Sequence, residues 1–153
     1  METTTTVQKN GTDKQFYTIK SIFIASFLGG PFVGLYMTSK NFTHLGKKDY
    51  ASRTLIWGTI ATLLILGALA FTPATIVNKI PTPVFPVLYA ALITTIAEKF
   101  QKEAIQEYLQ NGATKQSLWK IIGLSVISLI STVAYIVLLA VFFQLVMAML
   151  FSH

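Results

Sequence analysis

The sequence contains no cysteine, and only 12% of its 153 residues are charged, against about 25% in an ordinary soluble domain. Without cysteine the chain can form neither a disulfide framework nor a thiolate metal site. The hydrophobic content of 53% excludes a disordered chain, and a globule of this size cannot bury so much apolar surface. The composition therefore predicts a membrane protein and excludes a soluble enzyme.

Four stretches of the sequence carry no charged residue. A helix rises about 1.5 Å per residue, so a hydrocarbon core of about 30 Å needs about 20 apolar residues. Because one Lys or Asp at mid-membrane costs about 2.5–3.5 kcal/mol on insertion scales, four consecutive charge-free stretches predict four spans. We expect an all-α integral membrane protein with a flexible polar tail at 1–18 and a single four-helix membrane domain at 19–153, its transmembrane helices at about 21–39, 54–72, 81–97 and 121–151.

The third predicted helix continues beyond its charge-free stretch as an amphipathic segment. Oppositely charged residues such as Glu98 and Lys102 stand four apart. Apolar or small side chains recur on one face, at Ala97, Phe100, Ala104 and Tyr108. The pattern predicts a cytoplasmic extension of the third helix that ends near Gln110.

Lysine and arginine are distributed unequally between the two sides that four spans would define. The two larger loops hold eight of them: Lys40, Lys47, Lys48, Arg53, Lys99, Lys102, Lys115 and Lys120. The opposite side would hold Lys9, Lys14, Lys20 and Lys79. The positive-inside rule then places the larger loops in the cytoplasm and both termini outside. Trp57 and Trp119 lie just inside helix entrances on the basic side, so we expect this side to contact anionic lipid headgroups and not nucleic acid.

Small residues are concentrated in the first predicted span. Beside Gly29, a stripe on one helix face is spaced by four residues: Ser26, Gly30, Gly34 and Thr38. Such stripes let a neighbouring helix approach closely, and Pro31 predicts a kink because it removes a helical hydrogen bond. We expect a tightly packed, kinked helix. A broken helix that lines a substrate path is the alternative.

The fourth predicted helix carries a polar stripe and is unusually long. Its hydroxyl groups share one face: Ser125, Ser128, Thr132 and Tyr135. We expect them to pack against another span, with a polar pathway as the alternative. Gln144 stands alone in an apolar run, and 31 residues at 121–151 would measure about 46 Å, more than a bilayer needs. The end of this helix therefore predicts contact with a partner.

No constellation of catalytic or metal-binding residues is apparent in the sequence. The predicted spans contain no carboxylate, and His44 and His153 have no second ligand at metal spacing. The sequence contains neither a nucleophile with its base nor a phosphate-binding glycine loop. We predict no enzymatic activity, no cofactor and no metal.

Four short motifs resemble a group of uncharacterised small bacterial inner-membrane proteins. Within residues 16–60 they are Tyr17-Thr-Ile-Lys20, Phe27-Leu-Gly-Gly-Pro31, Asn41-Phe42 and Leu45-Gly46. The resemblance implies a multi-pass protein of the bacterial inner (cytoplasmic) membrane and implies no activity. We expect a structural, accessory or interaction protein in a homo-oligomer or a complex with another membrane protein. A small channel or uncoupled transporter for a small solute is the alternative.

Overall fold

The computed structural model describes residues 14–151, so most of the predicted tail and His153 lie outside the described residues. The chain is almost entirely helical, with two very short strands. In order the elements are β1 (Gln15–Phe16), α1 (Ile19–Gly29), α2 (Pro31–His44), α3 (Lys48–Ala70), α4 (Ala74–Val77), α5 (Val84–Gln110), β2 (Thr114–Lys115) and α6 (Leu118–Phe151).

The first hydrophobic stretch is divided at Gly30 and folds back on itself. Gly30 has φ 88° and ψ 177°, a conformation essentially restricted to glycine, and Pro31 occupies the first position of α2. A Cβ on Gly34 would meet the hydroxyl of Ser26, although a continuous helix would hold these residues about 12 Å apart. The prediction of one kinked span at 21–39 is therefore wrong. With 11 and 14 residues, α1 and α2 are about 17 and 21 Å long, too short to cross a bilayer.

The start of the described chain lies at the same end as the loop that follows α2. The strands β1 and β2 pair in parallel, with Gln15 opposite Thr114. The Nδ1 of His44 lies 2.8 Å from the carbonyl oxygen of Gln15. Phe16 and Tyr17 are buried, so the segment expected to be flexible up to residue 18 is already folded at Gln15. The expectation that this segment and the basic loops lie at opposite ends is contradicted, because the hairpin returns the chain to its starting level.

Two of the four predicted spans are confirmed as helices long and apolar enough to cross a membrane. They are α3, with 23 residues, and Leu118–Met149 within α6; only 6% of the most apolar window of each is buried. The third predicted span forms the first part of α5, which has 27 residues and ends at Gln110 as expected. Unlike α3 and α6, α5 is not both long and apolar enough to be a candidate membrane span.

The buried face of the α5 extension differs from the predicted one. Phe100 is 47% exposed, whereas Ala97, Gln101 and Ile105, spaced by four, are buried. The prediction followed apolar character alone and so passed over Gln101, whose amide makes hydrogen bonds in the interior. The face is rotated by about one residue.

The hydrophobic core surrounds the hairpin. Helix α1 packs mainly against α5 and α2 mainly against α3, while α6 covers the side of α1. The main cluster of buried residues is Tyr17, Ile22, Ala25, Val33, Leu35, Met37, Ile93, Ala97 and Ile121. A smaller cluster consists of Phe16 of β1, Ile105 of α5 and Ala113 just before β2. The hairpin is therefore the best-packed element, and α3 and α6 keep most of their surface exposed.

Candidate functional site

The tip of the hairpin packs against α6 through glycine. A Cβ on Gly29 would lie 2.6 Å from the Cα of Ser125, and a Cβ on Gly30 would lie 3.1 Å from the Oγ1 of Thr132. These approaches are possible only because neither glycine has a side chain. The small-residue stripe and the hydroxyl stripe, inferred separately from the sequence, thus meet in one interface.

The hydroxyl groups on α6 are engaged in hydrogen bonds within this packing. The N–H of Val33 in the first turn of α2 donates to the Oγ of Ser128 at 3.0 Å. The hydroxyls of Ser125 and Thr132 donate to carbonyl oxygens one turn earlier in α6, each at 2.9 Å. Tyr135 donates across to the Leu63 carbonyl of α3 at 3.3 Å. Their arrangement is that of a packing seam.

The N–H of Val33 needs an external acceptor because of its position. The first N–H groups of a helix have no partner within it, and a buried N–H left unpaired costs about 1–3 kcal/mol. Ser128 supplies that acceptor from a neighbouring helix. The buried start of α2 is therefore completed by α6.

A second polar cluster joins the base of the hairpin to α5. Asn41 is fully buried; its Oδ1 accepts from the Tyr17 N–H at 3.0 Å, and its Nδ2 donates to the Tyr17 carbonyl at 2.8 Å. The same Nδ2 lies 3.3 Å from the Oε1 of Gln101, whose Nε2 donates to the carbonyl of Thr38 at 2.8 Å. We call Tyr17, Asn41 and Gln101 the basal clasp. It fixes the segment before α1 to the end of α2 and to α5.

Sequence reasoning missed the basal clasp as a site. Asn41 entered only as part of a family motif, and Gln101 looked like one of the solvated residues of an amphipathic helix. The available signal was the position of Gln101, four residues after Ala97 and four before Ile105, on a face that is otherwise apolar. An amide in such a stripe indicates a buried hydrogen-bonding partner.

Burial at the base also changes the acidity of one phenol. Tyr17 is almost fully buried, and its hydroxyl lies 3.4 Å from the Nε2 of Gln116. Removal from water raises the pKa of Tyr17 above its ordinary value of 10.0, the hydrogen bond from Gln116 lowers it, and Tyr36 raises it. The phenol is therefore neutral at physiological pH.

The described chain is strongly polarised in charge along its helices. Ten of its eleven lysine and arginine residues lie toward the end that contains the basal clasp: Lys14, Lys20, Lys40, Lys47, Lys48, Arg53, Lys99, Lys102, Lys115 and Lys120. Lys14 and Lys20 were expected on the opposite side, and the hairpin explains the difference. Trp57 and Trp119, 67% and 82% exposed, belong to the same half of the molecule. We call this the basic end; Lys79 is the single charged residue of the opposite end among residues 14–151.

Beside the hairpin tip, a partly open apolar cavity of about 320 Å³ lies between α3 and α5. Pro31 is one of its lining residues, and Thr62 and Tyr89 are the polar residues in its lining. The remaining lining residues are Ile65, Leu66 and Leu69 of α3 and Phe85, Leu88 and Leu92 of α5. The hairpin fills the space between the long helices only at the basic half, so the other half remains open.

Within residues 14–151, no three His, Asp or Glu side chains lie close enough together to hold a metal ion. Gln144, expected to contact a partner, is exposed on α6.

Two long apolar helices that remain unburied, unlike the core helix of a soluble protein, are typical of an integral membrane protein. No protein-family model, curated protein or solved structure matches the chain. Its function must therefore be argued from its own residues.

Proposed function

We propose that the chain is an inner-membrane protein in which α3, α5 and α6 cross the bilayer and α1 and α2 form a re-entrant hairpin. The basic end faces the cytoplasm, as the positive-inside rule requires for ten cationic residues against one. The start of the described chain is then cytoplasmic and the end of α6 lies outside. This arrangement replaces the expectation of four complete spans with both termini outside.

The dimensions of the charge-free zone support this arrangement. Arg53 and Phe71 are 18 residues apart along α3, about 27 Å, and Lys120 and Phe143 are 23 residues apart on α6, about 35 Å. The rings of Phe71 and Phe143 meet with centroids 5.4 Å apart, so both helices reach the same level. These lengths match a hydrocarbon core of about 30 Å. Pro31 at the hairpin tip lines the same cavity as Thr62, which is nine residues from both Arg53 and Phe71 and therefore corresponds to mid-membrane.

The proposed role is that of an accessory or interaction protein in an oligomer or membrane complex. The observation that carries it is the outer end of α6, which continues about 12 Å, eight residues, past Phe143. Leu145 and Met149 in this end are 55% and 72% exposed. Apolar side chains beyond the hydrocarbon level require cover, and a protein partner provides it. Gln144, at the start of this end, is placed to make a hydrogen bond with that partner.

A channel or uncoupled transporter is less well supported by the contacts. The hydroxyls of Ser125, Ser128 and Thr132 are engaged in the packing seam, and the cavity above them is almost entirely apolar. Passage of a solute needs a lining of polar groups that remain available to it. The interaction role is therefore the first choice.

Single-cysteine labelling tests the membrane arrangement, since the natural chain has no cysteine. We expect Gln15→Cys, Thr43→Cys and Asn111→Cys to react with an impermeant maleimide only when it has access to the cytoplasmic side. Asn78→Cys should react only from outside. Labelling of Gln15→Cys from the side opposite Thr43→Cys would restore a complete first span and refute the re-entrant hairpin.

Photo-crosslinking from single positions tests the interaction role. A photoreactive residue replacing Met149 at the outer end of α6 should give a protein adduct in native membranes. The same residue replacing Leu64 on α3 is the matched control, because Leu64 is 69% exposed and lies within the hydrocarbon zone. Lipid adducts alone from both positions would contradict the interaction role without affecting the labelling result.

A further inference from the structure

The cavity between α3 and α5 has the chemistry of a site for a hydrocarbon chain. Its volume of about 320 Å³ is at the lower end of the range for small-molecule sites, about 300–1,000 Å³. Its lining runs from Thr62 to Leu69 on α3 and from Phe85 to Leu92 on α5, which in the proposed arrangement is the outer half of the bilayer. Its walls carry apolar side chains such as Leu66 and Leu88, and an acyl chain satisfies such a lining without leaving polar atoms unpaired.

The charge at this end of the molecule indicates what the chain is attached to. Residues 71–83, which include α4, join the end of α3 to the start of α5, the two helices that wall the cavity. Lys79 is the single charged residue of this connection and is exposed. A cation near the membrane surface attracts anionic headgroups by about 1 kcal/mol. The combination of an apolar cavity that can hold much of an acyl chain and one lysine on the segment that joins its walls fits an anionic lipid.

We infer that the cavity binds one acyl chain of an anionic phospholipid, with its phosphate near Lys79. The inference rests on the proposed membrane arrangement, in which the cavity opens into the outer half of the bilayer. One lipid per protein chain would hold α3 and α5 together where the hairpin does not reach. The site therefore recognises the chain by shape and the headgroup by charge.

Native mass spectrometry of the purified full chain tests the site, with phosphatidylglycerol as the probe and phosphatidylcholine as the uncharged comparison. We expect one phosphatidylglycerol retained per chain, preferred over phosphatidylcholine by about fivefold, the effect of one charge near the surface. Leu66→Trp fills the cavity and should lower retention by about tenfold. Leu64→Trp adds the same side chain on the exposed face of α3 and should leave retention unchanged.

Further variants separate the chain from the headgroup. Leu88→Trp fills the cavity from α5, so it reports on the site even if Leu66→Trp fails to fold. Lys79→Gln should abolish the preference for phosphatidylglycerol, while Lys48→Gln at the basic end should preserve it. Equal retention by wild type and both cavity-filling variants would overturn the proposal. Competition by glycerol phosphate, which has no acyl chain, would also overturn it, because the site would then bind phosphate alone.

Lipid retention and membrane topology can fail independently. Mass spectrometry reports on occupancy of the cavity whichever side of the membrane it faces, and cysteine labelling reports on orientation whether or not a lipid is bound. Loss of retention with correct labelling refutes the lipid site alone. Retention with inverted labelling keeps the site and reassigns it to the inner half of the bilayer.

Discussion

Replacement of Gly29 by alanine is the most direct test of the packing between the hairpin and α6. The new Cβ would lie 2.6 Å from the Cα and 2.7 Å from the carbonyl oxygen of Ser125. Both are backbone atoms, so relief requires a shift of a whole helix. Overpacking of this kind costs about 1–3 kcal/mol. Each 1.4 kcal/mol changes the unfolding equilibrium by about tenfold, so the effect is measurable.

The matched control is Gly123→Ala in α6. A Cβ at Gly123 meets no atom within 4 Å. Both glycines have helical backbones that alanine can adopt, so neither variant introduces backbone strain, and the contrast between them reports mainly on the clash. We expect Gly29→Ala to unfold at a lower fraction of SDS in mixed micelles, followed by far-ultraviolet circular dichroism, than Gly123→Ala. Identical unfolding midpoints would refute the close approach of the hairpin to α6.

The same unfolding measurement checks three further predictions. Gly30→Ala should destabilise by about 1–3 kcal/mol because its φ of 88° is strained for any side chain, and a neutral effect would contradict the break at this residue. Ser128→Ala should lower the free energy of unfolding by about 1 kcal/mol, because it removes the hydrogen bond to α2. Ser131→Ala should lower it by less, because the Ser131 hydroxyl donates only within its own helix. Equal losses of stability would contradict the capping role of Ser128. Because the pKa of Tyr17 is raised in the folded state, the unfolded chain ionises first, so stability is full below about pH 10 and falls as the pH rises through the folded-state pKa. Tyr17→Phe should remove that part of the alkaline loss, and an unchanged pH dependence would contradict the burial of the phenol.

The long helices outside the hairpin were largely predictable from charge alone. The charge-free stretch at 54–72 overlaps α3, and 121–151 lies within α6, because a membrane excludes charge from any spanning helix. The end of α5 at Gln110 was also expected, and the Asn-Gly pair that follows it is typical of a helix end. These features depend on a few adjacent residues and on solvent, so the sequence displays them directly.

The hairpin was not predictable by the same reasoning. Pro31 is compatible both with a kink inside a helix and with the first position of a new one, and the sequence pattern is identical in the two cases. What distinguishes them is the backbone of Gly30 and the acceptor that Ser128 offers to α2, which lies 95 positions from Val33 along the chain. The count of charges on each side therefore placed Lys14 and Lys20 opposite the basic loops, because it assumed that every apolar stretch crosses the membrane completely.

A buried break in a helix is stabilised when backbone groups on both sides of it are hydrogen-bonded, and here two different parts of the chain provide such bonds. At the end of α1, the Gly30 N–H donates to the Ser26 carbonyl at 2.9 Å. At the start of α2, the Val33 N–H donates to the Oγ of Ser128 in α6. The hydrogen bonding at the start of α2 therefore depends on α6, although α6 is the last helix of the described chain. The basal clasp, formed with Gln101 of α5, holds the other end of the hairpin. The hairpin thus depends on contacts with α5 and α6, so its local sequence alone does not specify it.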